Sequence, residues 1–136
     1  MRRESRELAM QVLFQKEFAP EISMQTFLSV FENSFSNEVL QYANFLLNGV
    51  EQFRLEIDRL ISTTSKNWKI DRMSSIDRNV LRISIYEMHF ASEPMKPQIV
   101  INEAIEIAKK YGTTDSYSFV NGILNQITQQ QLGSKE

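Results

Sequence analysis

The chain has 136 residues, of which 42% are hydrophobic and 24% are charged, and its formal net charge is −2. This length predicts one domain with a hydrophobic core, and the composition lies outside the range of disordered chains. The sequence contains no cysteine, which excludes disulfides, thiolate zinc sites and cysteine nucleophiles. Because the chain is slightly acidic, any nucleic-acid site is expected to be local rather than spread over the surface.

The N-terminal segment, residues 1–7, is mostly charged and leads into a broken apolar pattern. Signal peptides and membrane spans require an uninterrupted apolar run, so we expect neither, and we expect a cytoplasmic protein. Arg2, Arg3 and Arg6 make this edge basic, whereas residues 21–49 include acidic side chains and no lysine or arginine. Only the N-terminal edge has the character of a phosphate-binding stripe.

The first half of the chain has the periodicity of helices, and no segment shows the apolar–polar alternation of a strand. We expect a helix over about 5–18, ended by Pro20, and a second helix over about 23–35. Apolar residues spaced by four and three over 39–60 predict one central helix of about six turns. Gly49 within it costs roughly 1 kcal/mol relative to alanine, so another helix packs closely there or the helix bends.

The second half is also predicted to be helical. A helix that is apolar on most sides is expected over 74–90, in the middle of the fold. Pro97 is well placed to open the next helix, and Gly112 is expected to end it as a left-handed cap. A last helix is expected from about 116, followed by a polar tail over about 129–136. The predicted class is all-α, in a single domain spanning 1–136 with about six or seven helices.

Catalytic chemistry is not apparent in the sequence. His89 is the sole histidine, and the four glycines are scattered rather than gathered in a phosphate-binding loop. Glu103 and Glu106 share one helix face but lack the Glu-x-x-His partners of a di-iron site, so we expect a structural contact for Glu103 and an ion pair between Glu106 and Lys110. We therefore expect a protein that is not an enzyme and that needs no metal or cofactor.

An ordered set of short motifs spans nearly the whole chain. It comprises Arg6-Glu7-x-Ala9-x-Gln11-x-Leu13-Phe14, Asn67-Trp68, Asp77-Arg78, Leu81-Arg82, Tyr86-Glu87, Ile101-Asn102-Glu103-Ala104, Ala108-Lys109, Gly112, Ser116 and Phe119-Val120-Asn121-Gly122-Ile123-Leu124. No single motif is specific, but the ordered set resembles the NusB family of transcription antitermination factors. The resemblance implies an all-helical fold of two small packed bundles. It also implies binding to the boxA element of ribosomal RNA leaders together with NusE, a small-subunit ribosomal protein, in a complex with NusA, NusG and RNA polymerase.

The resemblance further implies two RNA-binding elements. The first is the N-terminal arginines Arg2, Arg3 and Arg6, which would contact phosphates, although Glu4 interrupts the basic segment. The second is formed by the end of one helix and the start of the last, where aromatic side chains beside exposed N–H groups suit single-stranded RNA. Its residues are Lys110, Tyr111, Asp115, Tyr117, Ser118, Phe119 and Asn121. Two simpler interpretations stay open: the arginines merely solvate the first helical turn, and Phe119 is a core residue.

Two further sets of residues are predicted, a partner surface from the resemblance and structural ion pairs from burial. The surface for NusE is expected at Phe14, Phe18, Arg72, Met73 and Asp77. Arg82 lies on the most apolar predicted helix, and a buried charge requires a partner, so Arg82 and Glu103 are expected to form structural ion pairs, Arg82 with a carboxylate from another helix.

The leading hypothesis is an adaptor that binds RNA and protein without catalysis. The alternative is a protein-only scaffold or dimer of the same fold that has lost RNA affinity because its basic segment is thinned. The same fold also occurs as the N-terminal domain of some ribosomal RNA cytosine methyltransferases, and we expect no such fused catalytic domain here. The sequence leaves open whether the protein is a monomer or a homodimer.

Overall fold

The computed structural model describes residues 2–29, 35–66 and 68–134, and within these ranges it contains seven α-helices and no strand. The helices are α1 (Arg2–Lys16), α2 (Met24–Leu28), α3 (Asn37–Gln52), α4 (Arg54–Thr64), α5 (Ser75–Ile85), α6 (Pro97–Tyr111) and α7 (Ser116–Ser134). A 3₁₀ turn, Ile70–Arg72, precedes α5, and a π-helical turn, Tyr86–Phe90, continues it. The predicted all-α class is confirmed.

Local signals account for most helix starts. The hydroxyl groups of Ser23, Ser36 and Ser74 cap α2, α3 and α5, each accepting a hydrogen bond from a backbone N–H three residues later at 3.1–3.2 Å. Pro97 occupies the first turn of α6, where its missing N–H costs nothing. Of the helix predicted over 23–35, α2 forms the first part, and residues 30–34 lie outside the described residues.

The predicted central helix over 39–60 is in fact two helices, because Phe53 between α3 and α4 is not helical. The interruption is one residue long, and backbone hydrogen bonds from Phe53 to Gly49 and from Ile57 to Phe53 span it. The spacing of apolar residues therefore continues through Phe53 and does not indicate that one helix ends there. At Gly49 an added Cβ would lie 2.0 Å from Cζ of Tyr86, so the close approach expected there is made by the aromatic ring of the π-helical turn.

Helix α5 lies at the centre of the molecule. It packs against α1, α3, α4, α6 and α7, so it joins the helices of the first half of the chain to those of the second half. Val80, Leu81, Ile83 and Ile85 are buried on it. The prediction of a buried helix beginning near residue 74 is confirmed, although its last turn is π-helical.

The connection between α6 and α7 differs from the prediction at Gly112, whose φ of −94° is not left-handed. Glycine fits there for a different reason, since a Cβ would lie 2.3 Å from the hydroxyl oxygen of Ser116. That hydroxyl accepts a hydrogen bond from the backbone N–H of Thr113 at 2.9 Å. Helix α7 continues to Ser134, past residue 129 where a polar tail was expected. None of the described helices is long and apolar enough to cross a lipid bilayer.

Candidate nucleic-acid interface

Arg6 lies in the core rather than at the surface. It is 4% exposed, and its guanidinium donates two hydrogen bonds to Glu87, at 2.8 and 3.0 Å, and one to Glu103 at 3.2 Å. The hydroxyl of Tyr42 donates to the same Glu87 carboxylate. Burial pushes the pKa of Arg6 down, but the hydrogen bonds and charge of Glu87 outweigh it, so the pKa is raised. The expected phosphate contact by Arg6 is therefore wrong, because the side chain is buried and all three of its guanidinium nitrogens already donate to Glu87 and Glu103.

Arg2 and Arg3 remain at the surface, but each has an intramolecular partner. Arg3 donates to both oxygens of Glu103, at 3.1 and 2.6 Å, and the hydrogen bond holds the pKa of that carboxyl below its usual range. The guanidinium carbon of Arg2 lies 4.4 Å from the centroid of the Tyr42 ring, a cation–π distance. A phosphate that binds Arg3 must therefore compete with the Glu103 carboxylate or share the arginine with it.

The two RNA-binding elements predicted from the sequence meet along the α1–α6 seam, defined here as the line where Arg3 contacts Glu103 and Glu7 contacts Lys110 and Tyr111. Lys110 Nζ donates to Glu7 at 2.9 Å, and the Tyr111 hydroxyl donates to the same oxygen at 2.7 Å. Since a helix rises 1.5 Å per residue, the Arg3 and Lys110 contacts are roughly 10 Å apart along the seam. The expected pair between Glu106 and Lys110 is replaced by this interhelical pair with Glu7.

The start of α7 adds an aromatic side chain beside this seam. Tyr117 is exposed, and Lys109 Nζ lies 5.3 Å from its ring centroid. Asp115 and Ser118 are also exposed, while Asn121 is half-buried and accepts a hydrogen bond from the side chain of Asn125 at 2.7 Å. This end of the molecule thus presents aromatic rings with lysines over them, a combination suited to stacking bases and contacting phosphates.

A surface pocket, called here the Trp68 pocket, contains residues from the predicted RNA-binding set and from the predicted NusE-binding set. Its volume is about 400 Å³, and it is lined by Trp68, Arg72, Met73, Ser74, Asp77, Asp115 and Phe119. Trp68 is 54% exposed, and Phe119 is half-buried against the core, so Phe119 is both a core contact and a pocket wall. The Oδ1 atom of Asp77 is buried without a hydrogen-bond partner in the described structure. The pocket therefore offers two aromatic surfaces and an unused acceptor.

The residues expected to bind a protein partner come from two segments of the chain. Phe14 and Phe18 lie at the end of α1 with ring centroids 5.3 Å apart, and Phe18 is 71% exposed. Arg72 and Asp77 lie at the Trp68 pocket. Met73 is buried, which contradicts its assignment to an exposed surface: the 3₁₀ turn directs it into the core, although one edge lines the pocket.

Arg82 and Glu103 both form structural ion pairs, as expected, and each has its own partners rather than the other. Arg82 is buried on α5 and donates to both oxygens of Asp58 on α4, at 2.9 and 3.1 Å. Glu103 instead forms ion pairs with Arg3 and Arg6 on α1. Arg82 therefore pairs with a carboxylate from another helix, as expected.

Comparison with known proteins decides the family. Residues 3–129 match the NusB family. A transcription antitermination protein NusB from Bdellovibrio bacteriovorus is 60% identical over 126 residues, which cover 93% of this chain and 93% of that protein. The chain belongs to the NusB family. The corresponding protein from Anaeromyxobacter dehalogenans is 43% identical over 129 residues, covering 93% of this chain and 89% of that one.

Solved NusB structures have the same fold. T. maritima NusB superposes with a TM-score of 0.84 and 36% identity, covering 96% of this chain and 92% of that one. A chain from a crystal structure of the antitermination factors NusB and NusE in complex with dsRNA has a TM-score of 0.78 and 29% identity, covering 95% and 96%. This chain is accordingly a NusB antitermination factor and not an enzyme.

Two features of this NusB-family site were missed by reasoning from the sequence. The first is Trp68, which belongs to one of the motifs but has no predicted role, although an exposed tryptophan beside a turn is a candidate stacking surface. The second is the pair Tyr42 and Glu87, which holds Arg6 in the core. Glu87 could have been found, because a carboxylate within the apolar run over 74–90 requires a buried cation as its partner.

Proposed function

We propose that this protein binds boxA-containing RNA of ribosomal RNA leaders jointly with NusE, and that the resulting complex joins NusA, NusG and RNA polymerase during antitermination. The observation that carries RNA binding is the convergence of Arg3, Lys110 and Tyr111 on the α1–α6 seam, beside the start of α7, with Arg2 next to Arg3 over the Tyr42 ring. The assignment of NusE is supported by similarity to a structure of NusB and NusE with dsRNA.

The proposed RNA path has a phosphate part and a base part. Along the seam, Arg2, Arg3 and Lys110 contact phosphates, which fixes the position of the strand without reading its sequence. At the start of α7, Tyr117 and the Trp68 pocket stack unpaired bases, since aromatic rings accept any base face. Arg6 contacts no phosphate but holds α1 in position through its ion pairs with Glu87 and Glu103.

Within the Trp68 pocket, Asp115 and Asp77 contribute negative charge, so the pocket suits a base edge rather than a phosphate. The unpartnered Oδ1 atom of Asp77 is an acceptor for an amino group of a base or for a donor from the partner protein. The remaining members of the predicted set, Ser118 and Asn121, lie along the same helix start.

A second candidate is a protein-only scaffold or dimer, and one observation favours it. Arg3, Arg6 and Lys110 are each already paired with a carboxylate of the same chain. A cation neutralised in this way gains less from a phosphate and releases fewer counterions on binding. The lone protein is therefore expected to bind RNA weakly, and NusE is expected to supply the rest of the affinity.

The test is fluorescence anisotropy with labelled boxA RNA and a scrambled RNA over a range of salt concentrations, with and without NusE. We expect tighter binding to boxA than to scrambled RNA when NusE is present. Arg3→Gln should reduce the salt slope by about one unit for both RNAs, because a phosphate contact is lost regardless of sequence. Arg59→Gln is the matched control, since it removes the same charge from an exposed position on α4.

Two results would count against the proposal. If NusE binds but boxA and scrambled RNA bind alike, the complex does not read boxA. If no RNA binds at low salt with or without NusE, the scaffold alternative is correct. Equal effects of Arg3→Gln and Arg59→Gln would show that only net charge matters and would remove the seam from the RNA site.

A further inference from the structure

Arg54, the first residue of α4, is a cation without a partner. Its Nε–H group is buried and donates to no acceptor in the described structure, and its guanidinium forms no ion pair with a described residue. Burial lowers its pKa, and the charge of Arg82 lowers it further. A buried N–H group without an acceptor costs free energy, so an anion brought to this position is stabilised more than one at an open surface.

Two nearby carboxylates form no ion pair with Arg54 because other arginines engage them, and they act on it only through their charge. Asp58, one turn further along α4, is held by both arms of Arg82. Glu17 accepts hydrogen bonds from Arg78 and from the side chain of Asn79, at 2.8 and 2.9 Å. This cluster thus contains three guanidinium groups and two carboxylates, and the surplus positive charge is at Arg54.

Arg54 lines a surface pocket, called here the Arg54 pocket, between the end of α1 and the junction of α3 with α4. Its volume is about 350 Å³, and it is lined by Leu13, Lys16, Pro20, Leu47, Glu51 and Arg54. Two cations therefore meet one carboxylate, Glu51, which lies in Coulombic range of Arg54 without forming an ion pair. The wall opposite the charges is apolar, since Leu13 and Leu47 are both core residues that reach the pocket.

We propose that the Arg54 pocket binds the carboxylate of an acidic side chain on a protein partner. The apolar wall fits the methylene groups of such a side chain, whereas a phosphate has none. The seam proposed for RNA begins at the other end of α1, roughly 20 Å from Lys16 at 1.5 Å per residue. The carboxylate site itself does not depend on the proposed function; only the choice of NusE as the partner in the second test rests on it.

The first test asks whether the pocket binds carboxylates at all. The Nε–H signal of Arg54 is followed by ¹⁵N NMR while acetate, butyrate or inorganic phosphate is added at constant ionic strength. We expect a saturable shift with the carboxylates, and about fifteenfold tighter binding of butyrate than of acetate, because each of its two additional methylenes contributes about fourfold when buried. Arg59 provides the comparison signal on the same helix. No saturable shift, or phosphate binding tighter than butyrate, would overturn the inference.

The second test asks which macromolecule supplies the carboxylate. Arg54→Gln is expected to weaken binding of NusE at least tenfold and to leave RNA binding by the protein alone unchanged, while Glu51→Gln strengthens NusE binding by removing the competing carboxylate. Lys16→Gln is the second variant, and thermal melting confirms that each variant is folded. Loss of RNA binding with unchanged NusE binding would make the pocket an RNA site instead. If the wild-type protein binds no NusE, the proposed function fails, and the butyrate titration still decides the carboxylate site.

Discussion

The guanidinium of Arg6 and the carboxylate of Glu87 form a bidentate ion pair inside the protein, joining the first helix to the π-helical turn after α5. The two side chains are 5% and 1% exposed, and the Tyr42 hydroxyl donates to the same carboxylate. Burial first, and then the hydrogen bond and charge of Glu87, raise the pKa of that hydroxyl. The N-terminal helix is therefore fixed to the body of the protein by a charged contact that water does not screen.

Arg6→Met is expected to lower the free energy of unfolding by about 3–5 kcal/mol, because it leaves the Glu87 carboxylate buried without its cation. Urea denaturation measures the loss. The double variant Arg6→Met with Glu87→Met should recover much of it, since no uncompensated charge then remains. If Arg6→Met has wild-type stability and instead reduces the salt slope of RNA binding, Arg6 is a surface residue in solution and the buried pair is wrong.

The difference between Arg6 and its neighbours shows what the sequence can and cannot predict. The helix starts at Ser23, Ser74 and Pro97 follow from local chemistry, in which a residue and one three or four positions away determine the outcome. The fate of Arg6 depends on Glu87, 81 positions away in the chain. The sequence does not distinguish Arg6 from Arg2 and Arg3, because only the fold places Arg6 against the buried carboxylate of Glu87.

The same reasoning explains the errors at Phe53 and at the Trp68 pocket. A one-residue break between α3 and α4 preserves the spacing of buried residues, so periodicity predicts the burial of Val50 and Ile57 correctly and the helix bounds incorrectly. The pocket is assembled from a loop, a 3₁₀ turn and the start of α7, and no pattern within any one of these segments predicts that they meet. The all-α class and most helix starts were predictable, and the composition of the pocket was not.

Gly49→Ala is expected to destabilise the fold by about 3 kcal/mol or more, because its Cβ would overlap the Tyr86 ring at 2.0–2.5 Å. Gly122→Ala is the matched control within α7, where an added Cβ meets nothing within 4 Å. The control should gain about 0.5–1 kcal/mol from helix propensity. Urea denaturation of both variants gives the comparison, and equal effects of the two substitutions would contradict the close packing of α3 on the π-helical turn.

Stability is expected to depend on pH through Glu17. Burial would raise the pKa of this carboxyl, but hydrogen bonds from Arg78 and Asn79 and the charge of Arg78 lower it to about 2. A carboxyl whose folded pKa is depressed contributes stability above its unfolded pKa of about 4.3, and loses it as pH falls towards the folded value.

The wild-type protein should therefore exceed Glu17→Gln in stability by about 1–2 kcal/mol at pH 7, after allowance for solvent screening of this partly exposed cluster. The difference should shrink between about pH 5 and pH 2. Urea denaturation of both proteins across this range measures it. A difference that stays constant down to pH 2 would show that Glu17 does not titrate with the Arg78 pair.

Trp68→Ala is expected to weaken binding of boxA RNA by about 1–3 kcal/mol, because a base loses its stacking surface in the Trp68 pocket. The side chain is more than half exposed, so the fold should be unaffected. Tyr117→Ala at the start of α7 tests the adjacent ring in the same way. Anisotropy measured in the presence of NusE reports both changes, and unchanged affinity in both variants would leave the seam as the sole RNA contact.

The last prediction concerns Glu103, whose Oε1 atom is shared by Arg3 and Arg6. In the free protein this carboxylate occupies the position at Arg3 that a phosphate would take. Glu103→Gln removes the competing charge and leaves Arg3 free, while Arg6 keeps its bidentate pair with Glu87. RNA binding should tighten by roughly 1 kcal/mol at low salt, and less at physiological ionic strength, where the Debye length is about 8 Å.

The salt dependence of RNA binding is the more specific measurement for Glu103→Gln. An arginine freed from its carboxylate adds a counterion-releasing contact, so the slope should steepen by up to about one unit for boxA and scrambled RNA alike. Glu106→Gln is the control, because it removes an equal charge from an exposed position one turn along α6. If Glu103→Gln weakens RNA binding instead, Glu103 holds Arg3 in its binding position rather than competing for it. If both glutamates have the same effect, general charge on α6 explains the change and the Arg3–Glu103 pair has no specific role.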